Sequence, residues 1–177
     1  RNMIKIAVVG PESSGKTTMC EALALEFGSI WVEEFARAHL EEHGFEYTEP
    51  DLLNIAKGQV LAEGKAIKRA EEQGVDLIFC DTDMITIRIW SEEVFGRSAP
   101  ELIALSEQRH YDHWLLCRPD IPWEPDPLRE NPHDRDRLFA VYEVMLKKLG
   151  KPYTLVQGEQ EQRMATAIKV VDLVLNC

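Results

Sequence analysis

Gly10-Pro11-Glu12-Ser13-Ser14-Gly15-Lys16-Thr17 decides how the rest of the chain is read. It fits G-x-x-x-x-G-K-[ST] at every fixed position, between a hydrophobic strand and a helix, as that pattern requires. Met3 to Val9 is an apolar run broken only by Lys5 and rich in Ile and Val, which predicts a buried parallel strand. A helix then starts within Gly15-Lys16-Thr17-Thr18, carries Met19, Leu23, Leu25 and Phe27 inward, and stops at Gly28. The glycines let the backbone curl so that its N–H groups and the helix N-terminus face a β-phosphate. Lys16 adds a point charge to the β and γ oxygens, and Thr17 offers a hydroxyl to magnesium. The candidate nucleotide-binding residues are Gly10, Glu12, Ser13, Ser14, Gly15, Lys16, Thr17 and Thr18, with ATP and Mg2+ as the expected ligands. The alternative, a glycine-rich turn that binds nothing, leaves Lys16-Thr17 and the flanking elements unexplained.

Outward from the loop, strands and helices alternate. A short strand is expected at Ser29 to Val32, then helices from Glu34 to about His43 and from Pro50 to about Gln73. In the second of these, Leu53, Ile55, Ala56, Val60, Leu61 and Ile67 recur at helical spacing. Val75 to Cys80 reads as another apolar strand, followed by Asp81-Thr82-Asp83 and a helix through Ile85, Ile89 and Trp90. Ala99 to about Arg109 reads as helix, His113 to Cys117 as strand, Leu138 to Leu149 as helix, Tyr153 to Val156 as strand and Gln162 to Leu175 as a closing helix. Residues 118–137 hold Pro119, Pro122, Pro125, Pro127 and Pro132, which predicts a loop or lid. The pattern is that of an α/β P-loop NTPase, a three-layer α/β/α sandwich with a central parallel sheet of about five strands. One domain over residues 1–177 is the working expectation. Ligands of such sheets lie at the carboxyl ends of the strands, where Gly10, Glu33-Glu34, Asp81 and Arg118 fall.

Thirty-one acidic against 20 basic residues give a formal net charge of -11, which argues against a nucleic-acid partner. No apolar run approaches the roughly 20 residues of a membrane helix, and no signal peptide is visible, so a cytosolic setting is expected. Cys20, Cys80, Cys117 and Cys177 are widely separated and suggest reduced thiols rather than a zinc site or disulfide framework. Protein partners are not legible.

Asp81, at the end of an apolar strand, is the expected second half of the metal site with Thr17. Asp83 is a weaker candidate for the substrate side, with a helix N-cap as the equal alternative. Glu34 ends the second strand and shares a helix face with Arg37. Glu34 could take the proton of an acceptor hydroxyl while Arg37 orients the substrate, or the two could form an i,i+3 ion pair at a helix start. Arg129, Arg135 and Arg137 could bring charge onto the transferring group from the proline-rich segment, or belong to a mixed-charge surface with five nearby acids. Trp31, Trp90, Phe95 and Tyr111 could line an acceptor pocket, although most suit a core better, and Trp123 could pack the lid. The second strand and its helix are expected beside the loop of the first. Glu34 would then approach from the acceptor side, and Asp81 would point along its strand towards Thr17.

These residues together resemble the NadR-type ribosylnicotinamide kinase domains, within a broader AAA-like ATPase family. The resemblance covers nearly the whole chain. It rests on Gly10 to Thr18, on Glu34-Phe35-Ala36-Arg37, on Phe79-Cys80-Asp81-Thr82-Asp83, on Tyr111-Asp112 with Leu115-Leu116-Cys117, and on Trp123 to Arg129 and Arg135. It implies transfer of the γ-phosphoryl group of ATP to the 5′-hydroxyl of nicotinamide riboside, giving nicotinamide mononucleotide. In that scheme Lys16 and the loop hold ATP, Thr17 and Asp81 hold Mg2+, Glu34 is the base and Arg129 clamps the phosphates. Where the family tends to have Trp-x-Asp-Asp-Gly-Leu-Arg, this chain has Trp123-Glu124-Pro125-Asp126-Pro127-Leu128-Arg129, and two prolines stiffen the segment. A kinase for another nucleoside or small metabolite, or an ATP-binding switch, fits the same loop.

Overall fold

The computed structural model describes residues 2–126 and 133–177. Five strands, β1 (Ile4–Val9), β2 (Ile30–Val32), β3 (Leu77–Asp81), β4 (His113–Cys117) and β5 (Tyr153–Val156), form one sheet in the order β2-β3-β1-β4-β5. All four pairings are parallel, with Val8 opposite Asp81 on one side of β1 and opposite Leu115 on the other.

Alternation along the strands builds the layers, because successive side chains of a strand point to opposite faces. Ile6 and Val8 pack with Met19, Cys20 and Leu23 of α1 (Lys16–Phe27) and with Ala167 and Val171 of α7 (Gln160–Leu175). Ala7 and Val9 face the other way, towards α3 (Glu49–Glu72), α4 (Met84–Phe95) and α6 (Arg135–Lys148). A third cluster joins α2 (Phe35–His43), α3, α4 and α5 (Pro100–Gln108) through Leu40, Leu52, Ile55, Ile87 and Leu102.

Three sequence expectations need correction. Leu25 and Leu61 lie on the apolar side of the predicted pattern but are exposed, because the buried phases run through Met19, Leu23 and Ala24 in α1 and through Leu52, Ile55, Ala56 and Gln59 in α3. Helix α3 begins at Glu49, where Thr48 and Asp51 form a capping box. β2 does not sit beside β1. All five residues of β3 are buried, so β3 takes the inner place and leaves the three-residue β2 at the edge. Residues 118–126 contain no helix or strand, as the prolines require. Arg129, the expected phosphate clamp, and its neighbours at 127–132 lie outside the described residues.

Candidate active site

The loop between β1 and α1 closes the carboxyl end of the sheet. Gly10 has φ 145°, and a Cβ there would come 2.6 Å from the Cys117 carbonyl, so the loop can leave β1 against β4 only with a glycine. Ser14 is fully buried and its Oγ donates to the Pro11 carbonyl at 2.7 Å. α1 then starts at Lys16 with Gly15 as N-cap, with no side-chain cap and no acid in its first turn. Its first backbone N–H groups are therefore available to an anion. Lys16 Nζ donates to the Gly10 and Pro11 carbonyls, each at 3.0 Å, curled over the same loop.

Two arginines brace this loop from outside. Arg163 of α7 is 2% exposed, and its guanidinium donates to the carbonyls of Ser14 (2.6 Å), Arg118 (2.7 Å) and Gly158 (2.8 Å) and to Asp120. Arg135 donates to the carbonyls of Ser13 and Ile121 at 3.0 Å and lies over the Trp123 ring. Ser13 Oγ in turn accepts the Glu124 N–H at 2.9 Å, so residues 121–124 are held onto the loop. Sequence reasoning missed Arg163. Its signal was a cation in the apolar phase of α7, where Arg163, Ala167 and Val171 recur every four residues.

At the loop's far end the Thr17 hydroxyl donates to Asp81 Oδ2 at 2.7 Å. Asp81 Oδ1 is buried without a hydrogen-bond partner. Burial raises the Asp81 pKa, while Lys16 and the Thr17 hydrogen bond oppose the rise. These hard oxygen donors and the unpaired Oδ1 fit Mg2+, which takes one or two carboxylates and completes its shell with water and substrate phosphate.

Glu34 is the N-cap residue of α2, half-buried on the cavity wall. Its pKa is raised, chiefly by burial and also by Asp81, with Lys16 and Arg37 opposing. The strand-to-helix turn is held from α3: Gln59 Oε1 accepts the Phe35 N–H at 2.8 Å. Gly58 leaves room for the Phe35 ring, which a Cβ would meet at 2.0 Å. Arg37 does not pair with Glu34; its partners are Asp126 at 3.0 Å and Glu41 at 3.9 Å.

Asp83 departs from the substrate-side expectation. It caps α4 by accepting the Thr86 N–H at 3.1 Å, and its other oxygen accepts Trp114 Nε1–H at 2.7 Å. Both oxygens serve the fold, and burial pushes the carboxyl up to about 6. Trp90 does line the cavity, its Nε1–H donating to the Tyr47 hydroxyl at 2.7 Å. Tyr111 is instead buried against Glu63, Trp31 packs in the α1 layer, and Phe95 lies edge-on to Tyr47. The cavity, of about 360 Å3, runs from the loop past Glu34 and Arg37 to Trp90 and Tyr142.

Residues 5–163 match the AAA domain family. The chain belongs to this AAA domain family. The chain is also similar to the trifunctional NAD biosynthesis/regulator protein NadR of Escherichia coli (strain K12), 28% identical over 177 residues. That match covers 96% of this chain and 41% of NadR, so the AAA domain spans well under half of that relative's length. A crystal structure of NadR in complex with NAD and AMP-PNP has a TM-score of 0.80 at 23% identity, covering 96% of this chain and 48% of that one. A second, of NadR in complex with NR, has a TM-score of 0.77 at 20% identity, covering 99% and 52%. The α/β P-loop fold is common to all three. No helix among the described residues of the AAA domain is long and apolar enough to cross a membrane.

Proposed function

We propose that this AAA domain is an ATP-dependent kinase that phosphorylates the 5′-hydroxyl of nicotinamide riboside to give nicotinamide mononucleotide. The observation that carries the proposal is the Thr17–Asp81 hydrogen bond, whose Thr17 lines one cavity with the uncapped start of α1 and the half-buried Glu34. NadR supplies the acceptor: it is named for NAD biosynthesis and has been solved with AMP-PNP and with NR.

In this scheme the loop N–H groups and Lys16 hold the β and γ phosphates; Thr17 and Asp81 would hold Mg2+, which would supply neutralisation of the phosphate charge. Lys16 gives up its hold on the Gly10 and Pro11 carbonyls to do so. The acceptor lies along α4 with the Trp90 face as an aromatic wall suited to a planar cation. Glu34 takes the 5′-hydroxyl proton as the ribose oxygen bonds to the γ phosphorus, and the bond from that phosphorus to the bridging oxygen breaks, leaving ADP. Arg37 orients the acceptor or screens charge after exchanging its Asp126 contact. Residues 1–177 act as one phosphoryl-transfer domain on a small nucleoside, in the ATP-rich cytosol.

ADP release measured across nicotinamide riboside and the common nucleosides tests the assignment. Stimulation by nicotinamide riboside above the others is expected; stimulation only by a different nucleoside would reassign the acceptor.

A further inference from the structure

Tyr47 lies in the link between α2 and α3, and the chain is fixed on both sides of it. Gly44 N–H donates to the Leu40 carbonyl at 2.8 Å where α2 ends, and Thr48 N–H donates to Asp51 Oδ2 at 2.7 Å where α3 begins. Glu49, the first residue of α3, pairs with Arg97 beyond the end of α4 at 2.6 Å. From this link Tyr47 reaches α4. Its hydroxyl accepts the Trp90 Nε1–H at 2.7 Å, and the two rings meet edge to face, with centroids 4.9 Å apart and planes at 71°. Tyr47 and Trp90 both pack against the cluster of Leu40, Leu52, Ile55 and Ile87.

An indole has a single polar hydrogen, and here Tyr47 takes it. Trp90 itself is only partly buried and belongs to the cavity wall with Thr86, Ile89 and Glu93 of the same helix. What this ring has left for a ligand is its π system, which suits a planar base and a cationic one best. A phenylalanine at position 47 would make the same ring contacts. The hydroxyl adds a directional bond, and with it a fixed angle for the indole.

We propose that Tyr47 is a positioning residue for acceptor recognition, its hydroxyl holding the Trp90 ring at the angle in which a planar acceptor base stacks on it. The proposal rests on the reading of this cavity as a nucleoside acceptor site. Tyr47 is not in the wall of the cavity and acts only through Trp90. A ring ordered before the acceptor arrives need not be ordered by it, so the gain falls on acceptor affinity and leaves the phosphate end untouched.

Tyr47→Phe, alone and combined with Trp90→Phe, tests this through kcat and the KM values for ATP and for the nucleoside that the parent phosphorylates best. Tyr47→Phe is expected to raise the nucleoside KM about 3–10-fold, the scale of one neutral hydrogen bond, with kcat and the KM for ATP near parental. Trp90→Phe has no indole N–H to hold, so adding Tyr47→Phe to it should raise the nucleoside KM no further. A tyrosine that merely supports the fold would act equally in both backgrounds. An unchanged nucleoside KM in Tyr47→Phe, or the same rise with and without Trp90, would overturn this proposal alone. A parent that phosphorylates no nucleoside would overturn the acceptor site and this proposal with it.

Discussion

The Thr17 hydroxyl and Asp81 Oδ2 meet at 2.7 Å, joining the residue after the loop lysine to the end of the neighbouring strand. β1 and β3 are direct neighbours with Val8 opposite Asp81, so the pair is a product of strand order. Asp81→Asn keeps the shape of the side chain but removes the charge that would hold Mg2+. It is expected to raise the Mg2+ concentration for half-maximal activity by roughly 10–100-fold. Nucleotide binding measured without metal should stay near the parental value. A metal titration of initial rates, beside calorimetric nucleotide binding in chelator, checks both.

Glu34 is the expected base, and its environment makes the claim testable by pH. Burial and the neighbouring Asp81 raise its pKa above the ordinary glutamate range. A base must be deprotonated to act, so kcat should fall as pH drops through this raised pKa, earlier than an ordinary glutamate would allow. Glu34→Gln should cut kcat by roughly 10²–10⁴ with ATP affinity nearly intact, and should flatten that acid limb. A variant that keeps the limb would assign it to another group.

Arg163 braces the phosphate loop from α7 through three carbonyls and Asp120. Arg163→Met leaves those acceptors without their donor and is expected to cost about 3 kcal/mol of stability, read by denaturant unfolding. Arg163→Lys should recover only part of this, because an ammonium cannot reproduce the planar fork. In both variants nucleotide affinity should fall further than nucleoside affinity, since Ser14 belongs to the phosphate loop. Equal losses for the two ligands would make Arg163 a general support of the fold.

How far the sequence could be read follows from how local each feature is. β4 and β5 have the bounds that their apolar runs predict, and the loop occupies its place between β1 and α1. Asp81 reaches Thr17 as expected, because both positions follow from strand ends and the motif. Strand order was less legible: β2 was expected beside β1, whereas β3 lies between them, a choice made by burial on both faces of β3. Gln59 and Gly58, which hold the turn beside Glu34, lie in a helix whose periodicity announces only amphipathicity. Asp83 had two local readings, and the contact with Trp114 across 31 residues of sequence decided for the cap.

The central claim is phosphoryl transfer from ATP to nicotinamide riboside in this cavity. Chromatographic separation of the products from ATP, Mg2+ and nicotinamide riboside tests it most directly. The account predicts nicotinamide mononucleotide and ADP in equal amounts, with both lost in Glu34→Gln. ADP without any phosphorylated nucleoside, at a rate indifferent to nicotinamide riboside, would contradict it.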